Sequence, residues 1–209
     1  MAIIMNSTQP KDTQMKVNFT KAALAIVASS LSVAASATVF TIDAKDNASH
    51  GGNLFNTGLV FTAGQVLNIT ANPNDLWNGG PLPRWSNADG MVANLYATGS
   101  DESGQPAGTL IGSNQGILAD SQRGLAAPYG SLVGSINGNY FFAGTSFHSV
   151  APASGTLYFF YWDVDASNNT GSINVNVSSV PEPTTQGLML LGLIPAVVAV
   201  RRRAKSVAA

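Results

Sequence analysis

The chain has 209 residues, a formal net charge of -1, no cysteine, and 10% charged against 45% hydrophobic residues. Soluble domains carry roughly 25% charged residues, and the lack of cysteine excludes disulfide staples, thiolate zinc sites and cysteine nucleophiles. Between 38 and 180 the only basic residues are Lys45, Arg84 and Arg123, against Asp43, Asp46, Asp75, Asp89, Asp101, Glu102, Asp120, Asp163 and Asp165. An acidic centre with three scattered cations cannot build the positive surface that phosphate backbones require, so nucleic acid is excluded as a main partner.

Residues 1–37 read as a secretory signal peptide. Lys16 and Lys21 precede the apolar run Ala22–Ala28, and small residues follow at Ala35 and Ala37. That order is the export pattern. Cleavage is expected after Ala37, and Met15 opens the signal more naturally than Met1.

Residues 38–180 have the length of one domain and the punctuation of an all-β fold. Short β-rich runs are predicted at 39–42, 59–61, 66–70, 91–96, 131–133, 140–142, 157–162 and 172–177, separated by Gly, Pro and Asn/Asp clusters. In the last run Ile173, Val175 and Val177 alternate with Asn174, Asn176 and Ser178, as in a half-exposed antiparallel strand. Leu157–Trp162 is apolar on both faces, which predicts an interior strand covered on each side. No stretch carries a 3.6-residue stripe. The pattern predicts a β-sandwich, of jelly-roll type.

Two loops within it carry candidate chemistry. The segment 72–90 is long for a connector and holds Trp77 and Trp85 among Gly and Pro. An indole with one wet side can stack on a sugar or cap the end of a sandwich, and both readings stay open for Trp85. In the segment 161–171, Asp163, Asp165, Ser167, Asn168 and Asn169 bring five oxygen-bearing side chains into seven positions. Calcium takes six to eight oxygens from carboxylates, amides and main-chain carbonyls. The same composition also makes a solvated hairpin turn, and the spacing is not that of an EF-hand.

Catalytic signatures are sparse. His50 and His148 are the only histidines, one in an N-terminal turn and one on or beside a strand. Asp163 and Asp165 resemble a glycosidase pair in type alone, but their asparagine neighbours favour a ligand cage. No G-x-S-x-G elbow, P-loop or H-E-x-x-H occurs. A protein that is not an enzyme is expected.

Residues 181–209 begin with Pro181-Glu182-Pro183, continue through the uncharged run 187–200 and end in the cluster Arg201–Arg203 with Lys205. As a helix that run reaches about 21 Å at 1.5 Å per residue, short of the roughly 30 Å hydrocarbon core. The basic cluster after it suits retention at the cytoplasmic side. The three parts resemble the PEP-CTERM sorting signal of Gram-negative bacteria. The resemblance implies transient contact of the hydrophobic helix with the inner membrane, and cleavage near Pro-Glu-Pro by an exosortase-type processing enzyme. It also implies release to an extracellular, outer-surface or exopolysaccharide-matrix location.

In the centre, Gly130–Ile136, Gly144–Phe147, Ala151–Tyr158, Asp163, Asn168-Asn169 and Gly171–Val177 follow one another in an order that is similar to the PA-IL-like galactophilic lectin family. The resemblance spans about 57–177. It implies a jelly-roll sandwich that binds sugar through Ca2+, with Asp163, Asn168 and Asn169 as metal ligands, a main-chain carbonyl near Gly79, and a further loop carbonyl from Asp165 or Ala166. Trp85, Asp89 and Asn169 are the expected sugar contacts. After Trp85 the chain has Ser86–Gly90 where the family places its sugar-selecting histidine and glutamine. The expected function is calcium-dependent binding of extracellular polysaccharide or glycan. The alternative is a non-catalytic structural protein of that matrix without specific sugar binding.

Overall fold

The computed structural model describes residues 37–180, so the signal-peptide reading up to residue 36 and the sorting-signal reading of 181–209 lie outside the described residues. Ala37, the expected cleavage residue, is exposed and opens the first strand. Fourteen strands follow in chain order: β1 (Ala37–Asp43), β2 (Phe55–Phe61), β3 (Val66–Ala71), β4 (Trp77–Asn78), β5 (Trp85–Ser86), β6 (Leu95–Tyr96), β7 (Leu110–Gly112), β8 (Ile117–Asp120), β9 (Leu125–Pro128), β10 (Ser131–Ile136), β11 (Asn139–Phe142), β12 (Ser146–Val150), β13 (Gly155–Trp162) and β14 (Ser172–Val180). Among the described residues no helix is long and apolar enough to cross a membrane.

Eight of these strands form two four-stranded antiparallel sheets, ordered β1-β14-β3-β12 and β11-β10-β13-β2. The sequence reason is alternation. Ile173, Val175 and Val177 of β14 and Leu67 and Ile69 of β3 are buried on one side of the first sheet. They meet Leu132 and Ile136 of β10 and Leu157, Phe159 and Tyr161 of β13 from the second. Edge-to-face or tilted pairs, Phe40–Phe55 at 5.8 Å and Phe141–Phe147 at 4.7 Å, close the two open sides of this layer. Asn174 and Asn176 face out from β14, as the alternation predicts.

The two-faced strand is β13, held between β10 and β2. Its other face, Phe160 and Trp162, joins Val133 under the β8–β9 hairpin, where Leu118 and Ala127 complete a second cluster. The Trp162 indole N–H donates to the Leu118 carbonyl at 3.1 Å, so the cover is hydrogen-bonded as well as apolar.

Two expectations need correction. The run 91–96 forms a strand only at Leu95–Tyr96, because Met91 is drawn into loop pairing, its N–H to Tyr129 and its carbonyl to Gln115. The segment 72–90, read from sequence as one long loop, contains a short ladder. It folds back as β4 and β5, pairing Trp77 with Ser86 and Asn78 with Trp85.

Candidate functional site

Three segments meet at one end of the sandwich: the β1–β2 loop, the β4–β5 hairpin and the β13–β14 loop. The main chain fixes their register. Asn78 and Thr170 exchange two hydrogen bonds, at 2.8 and 3.0 Å, which seats the hairpin on the residues that follow Asn168-Asn169. Ser49 N–H donates to the Tyr161 carbonyl and Tyr161 N–H to that of Asn47, tying the β1–β2 loop to the end of β13. Ser49 Oγ and His50 Nδ1 then reach the main-chain carbonyl of Asp163 at 2.6 and 2.8 Å. A carbonyl only accepts, so the imidazole carries its proton on Nδ1 there.

Asp163 is buried, with 7% of its surface exposed. Its Oδ1 accepts the N–H of Val164 at 2.7 Å. Burial pushes its carboxyl above the usual carboxylate range, against the opposing pull of the Val164 N–H, the Asn169 amide and Arg84. Its carboxylate lies against Gly79 across the junction. A Cβ on Gly79 would sit 3.6 Å from Asp163 Oδ2 and only 2.6 Å from Tyr161 Oη. Gly80, at φ 126, leaves its Cβ space to Asn168, whose amide nitrogen would lie 3.0 Å away. The Gly79-Gly80 pair thus allows backbone to approach both candidate ligands closely.

Asn169 is 1% exposed. Its Nδ2 donates to the Ala44 carbonyl at 3.1 Å, while Oδ1 has no hydrogen-bond partner among the described residues. Tyr161 Oη, beside Gly79, is likewise buried without a partner among the described residues, and burial together with the Asp163 charge holds that phenol well above its usual range. A buried polar atom left unsatisfied is costly. Here two such oxygens and a desolvated carboxylate gather in one corner.

Asp163, Gly79, Arg84, Met91, Gln115, Tyr129 and Val164 line a cavity of about 280 Å³ that opens from this corner. Among the described residues no group of three or more His, Cys, Asp and Glu is placed to hold a metal. A cation here would depend on one carboxylate with amide and main-chain oxygens. Calcium accepts that donor type, and the orphaned Asn169 Oδ1, the buried Asp163 and the space above Gly79 fit it.

The remaining sequence-predicted residues are placed elsewhere. Asp165 is exposed and faces a different cavity. Its carboxylate accepts the Ser167 N–H at 2.8 Å, capping the short 3-10 turn Ala166–Asn168, and this bond holds it below its usual range. Trp85 is partly buried beside Leu76, Ala97 and Ile111 and does not line the Asp163 cavity. Asp89 is committed within the fold: its carboxylate accepts the Thr145 N–H at 2.7 Å and the Thr145 hydroxyl at 2.9 Å. His148 sits on β12 against the Asn68 side chain, as a strand histidine should.

Four residues of the corner escaped sequence reasoning: Ser49, His50, Arg84 and Tyr161. Arg84 and His50 left a signal in composition, as one of three cations between 38 and 180 and as one of two histidines.

No family model matches the chain, and no curated protein matches it. Among solved structures the chain is similar to one described as "EclA N-terminal domain; PllA-like lectin", at a TM-score of 0.43 and 21% identity, over 68% of this chain and 95% of that one. At that degree of overlap the likeness assigns neither site nor ligand to this chain.

Proposed function

We propose that residues 38–180 form an exported, non-catalytic glycan-binding domain of jelly-roll type that takes its ligand at the Asp163 corner with Ca2+. The supporting observation is the gathering of oxygen atoms in one buried corner: Asp163 lying against Gly79, and the Asn169 Oδ1 without a hydrogen-bond partner among the described residues. Acceptors collected in a desolvated place are stabilised by a cation. Asp163, Asn168, Asn169 and the Gly79 carbonyl would hold it, with a further carbonyl from the turn at Asp165 or Ala166. When bound, calcium supplies a charge to which sugar hydroxyls can bind as ligands. The chain's own contribution is orientation. Ser49 and His50 fix the Asp163 main chain, Asn78–Thr170 fixes the hairpin, and Arg84 offers donors to ring or hydroxyl oxygens in the cavity.

Trp85 and Asp89 have no part in this reading. The address is part of the proposal and rests on sequence alone: a signal peptide ending at Ala37, and the Pro181-Glu182-Pro183 tail for processing at the inner membrane and deposition outside the cell.

The test is the melting midpoint of the full chain in calcium and in chelator. A native-state ligand at about 100 times its Kd adds roughly 2.7 kcal/mol, which raises the midpoint by about 5–10 °C at this size. The rise should vanish in Asp163→Ala, and a glycan array should lose its signal in the same variant. No rise at saturating calcium overturns the metal reading. A rise without retained glycan leaves the matrix-protein alternative.

A further inference from the structure

Resting on that reading of the Asp163 cavity, we propose that the ligand is an oligosaccharide of at least two neutral sugar units lying across Val164. One unit occupies the Asp163 cavity and the next occupies an adjoining cavity walled by the β1–β2 loop.

The second cavity measures about 340 Å³, and its lining includes Lys45, His50, Asn53, Asp165 and Ser167. Val164 lines both cavities and is 51% exposed, which makes it the ridge between them. The chain alternates across that ridge, with Asp163 in one cavity and Asp165 in the other. A single exposed valine is ordinary on a protein surface. An apolar ridge with a polar hollow on each side matches a pyranose chain, whose C–H faces and hydroxyl edges alternate. Ligand pockets run from about 300 to 1,000 Å³, so the second cavity alone lies near the bottom of that range and the Asp163 cavity just below it.

The two hollows are also held in register. Ser49 and His50, from the loop that walls the second, bond the carbonyl of Asp163 in the first. Asn169 reaches back to Ala44 at the start of the same loop. A preformed spacing removes ordering cost that the ligand would otherwise meet. Lys45 stands with Asp46 and Asp165 around the second hollow, so both signs of charge are present and donors mix with acceptors. That mixture suits a polyol over a strongly ionic unit.

The experiment titrates the full chain, in calcium, with glucose, galactose and mannose and with their linear oligomers of two to four units. At least one oligomer should bind ten or more times tighter than its monomer, beyond the gain from simple repetition of one epitope. The double variant Lys45→Ala, Asn53→Ala should abolish that advantage while monomer affinity and the calcium-linked melting shift stay unchanged. Equal affinities for monomer and oligomers overturn the bridging and leave the glycan reading intact. An advantage that survives the double variant also overturns it. Failure of every sugar to bind, with the calcium shift present, overturns both.

Discussion

The Ser49 hydroxyl holds both main-chain groups of Asp163, donating to its carbonyl at 2.6 Å and accepting from its N–H at 3.0 Å, across 114 residues of sequence. The hydroxyl is buried. The Asp163 carboxylate is therefore positioned by the β1–β2 loop as much as by its own strand, and the loop is part of the site although it carries no candidate metal ligand.

Ser49→Ala removes that clamp. His50 still reaches the Asp163 carbonyl, but the N–H of Asp163 is left buried and unpaired, a loss of about 1–3 kcal/mol. Urea denaturation of the variant reads the stability, and the calcium-dependent rise in melting midpoint should shrink with it. A loss under about 0.5 kcal/mol, the usual scatter of neutral surface changes, would show that the clamp carries no load.

Gly79→Ala tests the close approach of the hairpin. The added methyl meets Tyr161 Oη at 2.6 Å and Met91 Cε at 2.7 Å. The methionine end can swing away, but Tyr161 is fully buried and stacked edge-on against Trp77 at 4.6 Å. Overpacking of this kind costs about 1–3 kcal/mol. Calcium affinity, followed by titration calorimetry, should fall at least tenfold because the methyl occupies space beside Asp163 Oδ2. Unchanged affinity would place the cation away from Gly79.

For Asp89 the expectation is the reverse. Its carboxylate takes the main-chain N–H and hydroxyl of Thr145, and it bridges to Ser131 on β10. Asp89→Ala should lower stability by about 1–3 kcal/mol and leave the calcium-linked shift and glycan retention intact. Lost glycan retention at unchanged stability would return Asp89 to the site.

The legible parts of this fold are those written in period two. Alternation placed β14 and its buried face, and the doubly apolar run of β13 announced an interior strand with two covers. The nature of the second cover was hidden, since β8 and β9 are short and mixed in character and owe their stability to Trp162 and Phe160 beneath them. Strands β4 and β5 were hidden for a related reason: two-residue ladders leave no periodicity. At the site, the oxygen-rich turn at 163–169 was visible in composition, and the structure brings Gly79 to it. Ser49, His50 and Tyr161 act through main-chain geometry set by distant pairing, which no local pattern encodes. Trp85 and Asp89 had the right chemistry for sugar contact, but a small apolar cluster and Thr145 claim them.

The acid limb of the stability curve should be shared by Asp101, held down to about 2 chiefly by the Ser103 hydroxyl and the Thr98 N–H, by Asp165, and by Asp120. Arg123 bonds the Asp120 Oδ2 at 2.5 Å, and the N–H groups of Arg123 and Gln122 bond Oδ1 at 3.1 and 2.9 Å. Chiefly through the Arg123 side chain, these bonds hold the carboxyl below its ordinary 3.8, against the opposing effect of burial. With the folded value below the unfolded one, the contribution is complete above the ordinary value and is lost as pH falls through the lowered one. Asp163 has the opposite sign. Burial raises its folded value, so between the ordinary and the raised value the folded chain keeps a proton that the unfolded chain releases, and stability falls as pH rises. In chelator, the melting midpoint should thus climb out of strong acid, peak, and decline through the Asp163 window. Asp120→Asn should flatten part of the climb, and Asp163→Asn should remove the decline. Because Arg123 also donates to the Ser49 carbonyl at 2.6 Å, protonating Asp120 frees the cation that steadies the Asp163 clamp. A midpoint that rises steadily through the Asp163 window in chelator would show that its carboxylate is already compensated within the fold, and would remove the physical reason for a cation there.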